Sequence, residues 1–335
     1  MRRCIQNVTL LVTCGLASVA GAQMPVGLMA VNTREPVTDT AVPAAVFYPA
    51  LASGEQAGSV MAGPYRVEAT PGAAPAPGRH PLLVLSHGNG GTRYGHHDLA
   101  VALARQGYVV VAPEHAGNHH GDQSGFGTDR VLLGRAWQAS RALDAVLSDD
   151  RLGPHVDAAR IGAVGFSAGG YTTLLLAGAV PDFARFDRFC EAHPGTPELC
   201  DPPPAGGMHT LSNPPPTADR RVRAAFVMAP LALVFDSAGV SDMHAPVFLL
   251  TAEHDEVLMP SANGDHLRSL LPDLAGSREI AGAGHFVFLA PCPPPLVDAL
   301  PQLCVDPHGI DREAEHARIA ADALAFFDRY LPGEG

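Results

Sequence analysis

The sequence predicts an α/β fold, with a mostly parallel central sheet covered by helices on both faces. Two observations lead there. Short, uninterrupted apolar runs recur at Pro81–Ser86, Tyr108–Ala112, Ile161–Phe166, Ala224–Met228 and Val247–Thr251. Stretches of helical periodicity lie between most of them. Runs without polar alternation suit strands buried on both faces, and strand–helix alternation suits parallel pairing through crossover helices. A chain of 335 residues that is 47% hydrophobic holds enough apolar material for one large core of this kind.

The chain opens with Arg2 and Arg3, an apolar stretch from Val8 to Ala20, and then Ala20-Gly21-Ala22. This is the pattern of an export signal, 1–22, cleaved after Ala22. As a bilayer span the run is short and is interrupted by Thr13 and Ser18; a lipid anchor at Cys14 is the weaker alternative. No later stretch is long and apolar enough to cross a membrane, so stable membrane insertion is not expected. Residues 23–335 then read as a single domain in the periplasm or outside the cell. Its first part, 23–80, reads as irregular and rich in Pro and Gly, with β-like runs only at Ala45–Tyr48 and Tyr65–Glu68.

From residue 81 the elements follow in order. Strand Pro81–Ser86 precedes a helix over Asp98–Gln106, which Gly107 ends. Strand Tyr108–Ala112 precedes a long amphipathic helix over Asp129–Leu147, with Leu132, Ala136, Ala139, Leu143 and Val146 on one side. Trp137, the only tryptophan, reads as helix packing. Strand Ile161–Phe166 leads to a helix over Ala168–Ala179. Residues 181–221 break the rhythm with two Pro triplets and two cysteines; they read either as a cap over the site or as a surface excursion. Strands Ala224–Met228, Val247–Thr251 and Ser277–Ile280 follow, with a helix around Ala262–Leu271. A final amphipathic helix covers Glu313–Tyr330.

Charge and cysteine content narrow the chemistry. The net charge is −12, which disfavours a nucleic-acid partner. All 22 basic residues are Arg, so a Ser-Lys dyad, a Schiff-base lysine and a phosphate-loop lysine are excluded. Outside the signal, Cys190, Cys200, Cys292 and Cys304 remain. Their number and local spacing suggest disulfides 190–200 and 292–304 in an oxidising compartment; a zinc site or free buried thiols are the alternatives. His96-His97 and His119-His120, with Glu114, His115 and Asp122, invite a metal reading. Adjacent residues point apart, so no metal and no cofactor is expected, and Glu114-His115 reads as the rim of the cleft.

The strongest chemical signal is Gly165-Phe166-Ser167-Ala168-Gly169. It matches G-x-S-x-G between a buried strand and a helix, which puts Ser167 on a sharp turn at a helix N-terminus. The flanking glycines are needed because side chains there would collide across the turn. A serine hydroxyl needs a base, and the chain order Ser, acid, His selects His285 from 16 histidines. His209, His266 and His308 fit less well: they lie in the insert, inside a helix and in a Pro-rich segment. Asp255 is the first choice of acid, and Glu253 and Glu256 are its neighbours in the same loop. An oxyanion needs two N–H donors. Ala168 should supply one and Asn89, in the glycine-rich loop His87–Gly91, the other.

The segments LSHGNGG (85–91), ARQGYVVVAPEHAGN (104–118), VGFSAGG (164–170), LLTAEHDEVLMP (249–260) and AGAGHF (281–286) resemble the α/β-hydrolase fold enzymes. Within them the chain resembles serine esterases related to dienelactone hydrolases and platelet-activating-factor acetylhydrolases. The resemblance implies hydrolysis of small-molecule carboxylic esters, of short acyl length, through an acyl-enzyme on Ser167, with Asp255 and His285 completing the triad. Dienelactone hydrolases proper use a Cys nucleophile, so dienelactone is not carried over, and neither is a phospholipid substrate. Rival readings are an exopeptidase or amidase with the same triad, and a non-catalytic binding protein on a hydrolase scaffold. Oligomeric state is not legible.

Overall fold

The computed structural model describes residues 23–52, 58–193, 200, 211–271 and 273–333. The segment expected to be an export signal, 1–22, lies outside them, as do His209 and residues 194–199 and 201–210 of the 181–221 insert. Eleven strands are found among the described residues: β1 (Val26–Arg34), β2 (Ala41–Pro49), β3 (Val60–Ala62), β4 (Tyr65–Val67), β5 (Thr70–Pro71), β6 (His80–Ser86), β7 (Val109–Pro113), β8 (Val156–Phe166), β9 (Val222–Met228), β10 (Val247–Ala252) and β11 (Gly276–Ile280). Nine of them form one sheet in the order β11-β10-β9-β8-β6-β7-β2-β1-β5, and β3 and β4 form a separate hairpin. From β11 to β7 every pairing is parallel, whereas β2 runs antiparallel to both β7 and β1.

The first part of the chain differs from expectation. Residues 26–49 form a regular antiparallel pair, β1 and β2, with nine residues in each strand. Its signal is hidden because β2 (AVPAAVFYP) is almost wholly buried and rich in Ala, and Pro43 stands inside it. Proline removes a ladder donor and reads as a strand breaker. Here it lies beyond the β7 pairing, which covers Ala44 to Phe47, so no bond to that strand is lost.

Helices cover both faces. Helices α1 (His97–Arg105) and Arg312–Tyr330 pack on one face with Leu83, Val110, Val164 and Phe226 beneath them. Helices α2 (Asp129–Leu147) and α3 (Ala168–Leu176) pack on the other, over Leu82, Val84, Val111 and Ala163. α2 starts where Thr128 accepts the Val131 amide as its N-cap. In the insert, helix α4 (Phe183–Ala192), capped by Asp182, lays Phe183, Phe186 and Phe189 against the α2–α3 core. The insert is pinned again where Trp137 Nε1 donates to the Pro216 carbonyl at 3.1 Å and Ser140 to Asp219 at 2.9 Å. Disulfides join Cys190 to Cys200 and Cys292 to Cys304.

β6 lies between β7 and β8, so the strand order reverses at β6. In parallel sheets, loops at the carboxyl ends of strands beside such a reversal diverge and leave a crevice. The end residues Ser86 of β6 and Gly165 of β8 are paired, which sets the glycine-rich loop against the turn at Ser167.

Candidate active site

Ser167 follows β8 and precedes α3, with φ 56° and ψ −119°. A non-glycine residue there is strained, and such strain persists only where its surroundings enforce it. The enforcement is visible at the flanking glycines. A Cβ on Gly165 would lie 2.0 Å from the Gly169 carbonyl oxygen, and one on Gly169 would lie 1.8 Å from that of Ser86. The turn is also tied to the next strand: Ser167 N–H donates to the Met228 carbonyl at 2.9 Å, and its carbonyl accepts from Leu231 at 3.2 Å.

Asp255 and His285 arrive from the loops after β10 and β11, which are adjacent parallel strands. His285 Nδ1 lies 2.7 Å from Asp255 Oδ2, and its Nε2 lies 3.0 Å from Ser167 Oγ. A carboxylate only accepts, so Nδ1 carries the proton and Nε2 is left to accept from the serine hydroxyl. All three side chains are buried. Asp255 is itself oriented: its Oδ1 accepts the amides of Val257 and Leu258 at 3.1 and 2.6 Å.

The neighbouring acids hold the backbone rather than the ring. Glu256 Oε2 accepts the His285 amide at 3.0 Å, and Glu253 Oε2 accepts the Gly282 amide at 2.7 Å. The His254 amide donates to the Ala283 carbonyl at 2.9 Å. Four successive residues, 253–256, thus clamp the loop that carries the imidazole. The far side of that loop rests on two more histidines. His96 Nδ1 donates to the Phe288 carbonyl at 3.0 Å, and His316 Nε2 to that of Val287 at 2.9 Å. Burial lowers His96 to about 4, so it is neutral at neutral pH. For His316, burial pushes the same way, but the charge and hydrogen bond of Asp98, with the Val287 carbonyl, overcome it and raise the group above its ordinary value.

Asn89 and Ala168 line one cleft with Ser167. The Ala168 amide is the first of α3 and has no intrahelical acceptor. Asn89 is held from the side, its Oδ1 accepting from Asn118 Nδ2. The rest of the cleft, about 90 Å³, is largely apolar; Val131 and Leu132 of α2, Leu231 and Leu258 contribute, and Phe186 reaches it from the insert. Glu114-His115, read as a rim, divide: Glu114 accepts the Arg93 amide at 2.9 Å, while His115 is fully buried between Ser86 and Gln138. The histidine pairs do not converge: His96 faces Phe288, His97 packs on Tyr65, and His119 lies 3.6 Å from Glu114.

Sequence reasoning missed Arg135, Asn118, Phe186 and His316. Arg135 had a readable signal. It lies three residues after Leu132 and four before Ala139, so a charge stands on the stripe that faces the core. The others owe their positions to tertiary contacts.

No curated protein sequence matches the chain. A family model described as "Platelet-activating factor acetylhydrolase, isoform II" matches residues 51–126, which hold the glycine-rich loop but stop short of Ser167. Among solved structures, a ferulic acid esterase from Streptomyces cinnamoneus superposes with a TM-score of 0.62 at 22% identity, covering 95% of this chain and 93% of that one. A dienelactone hydrolase-like promiscuous phosphotriesterase, P91, from metagenomic libraries superposes with a TM-score of 0.54 at 15% identity, covering 91% and 99%. With these neighbours, the reversal at β6 and the strained turn at Ser167, the chain has the α/β-hydrolase fold, and it is similar to the platelet-activating-factor acetylhydrolase and dienelactone hydrolase branch.

Proposed function

We propose that the protein is an exported serine hydrolase that cleaves small-molecule carboxylic esters with short acyl groups. The observation that carries this reading is the unbroken hydrogen-bond chain Ser167–His285–Asp255 at 3.0 and 2.7 Å. His285 Nε2 takes the hydroxyl proton as Ser167 Oγ attacks the ester carbonyl. The Asn89 and Ala168 amides hold the resulting oxyanion. The imidazolium, stabilised by Asp255, then returns the proton to the departing alkoxide. Water deacylates Ser167 by the same route. The small apolar cleft favours a short, uncharged acyl group, and α4 acts as a cap through Phe186. The fold neighbours named as an esterase and a dienelactone hydrolase-like protein support ester chemistry. Two disulfides support export, with the mature chain starting at Gln23.

p-Nitrophenyl esters of graded acyl length, a peptide anilide and a fluorophosphonate probe test this. The expected result is fastest turnover at acetyl to butyryl, little cleavage of the anilide, and labelling of the wild type. Ser167→Ala should lose labelling and at least about 10⁴-fold in kcat. Preferred anilide cleavage would favour the peptidase, and an unlabelled, inactive wild type would favour the binding protein.

A further inference from the structure

Arg135 is fully buried, yet among the described residues no carboxylate lies within ion-pair distance of it. Its donors all meet neutral oxygens. Nε donates to Thr172 Oγ1 at 3.1 Å, Nη1 to Asn118 Oδ1 at 2.6 Å, and Nη2 to Ser86 Oγ at 3.3 Å and to the His87 carbonyl. The titratable rings around it do not neutralise it either. Tyr171 is the ring whose charge would favour the guanidinium, but burial pushes its hydroxyl well above the ordinary phenol range, so it is uncharged. Ser86 and Gln138 fix His115, and the Gly88 carbonyl and the His115 amide fix His87, each with one ring N–H. Burial first, and Arg135's charge second, push both rings well below the ordinary imidazole range. Burial lowers the guanidinium to about 9, so it stays charged at neutral pH.

A buried charge left without an opposite charge is costly, and packing alone would be served as well by an apolar residue. What distinguishes this position is what the four oxygens belong to. Thr172 Oγ1 donates in turn to the Ala168 carbonyl at 2.8 Å, within the first turn of α3. Asn118 donates to Asn89 Oδ1. The His87 carbonyl is the peptide oxygen that opens the Gly88-Asn89 loop, and a Cβ on Gly88 would lie 3.3 Å from that of Ser167. One guanidinium thus braces both backbone segments that present the oxyanion donors.

We propose that Arg135 is a positioning residue whose uncompensated charge, delivered through His87, Asn118 and Thr172, stabilises the oxyanion of the tetrahedral intermediate. Its missing counter-charge is the one the reaction creates. The interaction is therefore stronger in the transition state than with bound ester, which is the condition for raising kcat rather than lowering KM. This rests on the esterase reading above.

Asn118→Asp places a carboxylate against the guanidinium and keeps size and acceptor, but it loses the Nδ2 donor to Asn89 Oδ1, so Asn118→Leu, which loses that donor without adding a charge, is its control. Arg135→Met and Arg135→Lys accompany them. The measurements are kcat and KM for p-nitrophenyl acetate, Ki for a trifluoromethyl ketone, fluorophosphonate labelling and Tm. Asn118→Asp should melt no lower than the wild type while kcat falls about 10²-fold, the order seen on removing an oxyanion donor. KM should stay within about threefold, and ketone affinity should fall in step with kcat/KM. Arg135→Lys should recover part of what Arg135→Met loses. If Arg135→Met does not fold, Asn118→Asp and Arg135→Lys decide. Unchanged ketone affinity in a folded Asn118→Asp, or an equal loss in Asn118→Leu, overturns the role of Arg135 alone; a wild type that neither turns over esters nor is labelled overturns the esterase reading with it.

Discussion

Arg135 and His316 are both buried cations beneath the loops of the site, on opposite faces of the sheet. His316 is paired: Nδ1 meets Asp98, and Nε2 holds the Val287 carbonyl of the turn that begins at His285. Arg135 meets four neutral oxygens and, among the described residues, no acid. The difference teaches how a buried charge can be used. A pair is complete in the resting protein, so its energy goes into holding a loop still. An unpaired cation leaves its field free for a negative charge that appears later, and the fold bears that cost in the meantime.

The sharpest way to break the comparison is to remove each cation's partner groups and read stability. Arg135→Met strips the donors from Asn118 Oδ1 and the His87 carbonyl. Two buried oxygens left bare should cost about 3 kcal/mol in urea unfolding, and a neutral result would show that the brace is dispensable to the fold. Asp98→Asn leaves His316 without its charge. Because Asp98 is partly exposed, the loss should be nearer about 2 kcal/mol than the larger cost of breaking a fully buried pair.

The pair should also have its own pH signature. Burial opposes the ionised form of Asp98, but the charge and hydrogen bond of His316 overcome it and hold the group at about 2. A depressed acid contributes stability above its unfolded value, about 3.9, and loses it as pH falls toward 2. His316 is raised, so its share is full below the ordinary imidazole value and fades as pH rises through the higher folded one. Stability measured against pH should therefore show both limbs, and Asp98→Asn should erase the alkaline one. A wild-type alkaline limb that survives Asp98→Asn would mean another group carries it. The smallest effect concerns the acid clamp. Glu256→Gln keeps an acceptor for the His285 amide but removes the charge, so it should cost about 1 kcal/mol and leave KM unchanged.

Much of this was legible in advance, for identifiable reasons. Strands β6 to β11 lie within or beside the parallel part of the sheet, and most are uniform apolar runs. α2 shows its period over 19 residues and begins at Asp129, as its pattern predicts. Of the β1–β2 pair only the run Ala45–Tyr48 of β2 was legible; β1 and the pairing were not, since alanines and Pro43 disguise a buried strand.

By itself the sequence determined the alternation of elements and the turn at Ser167, because both are local: apolar period and glycine placement act within a few residues. It also ordered Ser167, Asp255 and His285 along the chain. Which acid meets the imidazole, what Glu253 and Glu256 do, and why Arg135 stands on a core-facing stripe were decided only in three dimensions. Those choices depend on which carboxyl ends the sheet order sets side by side. Burial then gives a charge its meaning, and no stretch of sequence carries burial alone.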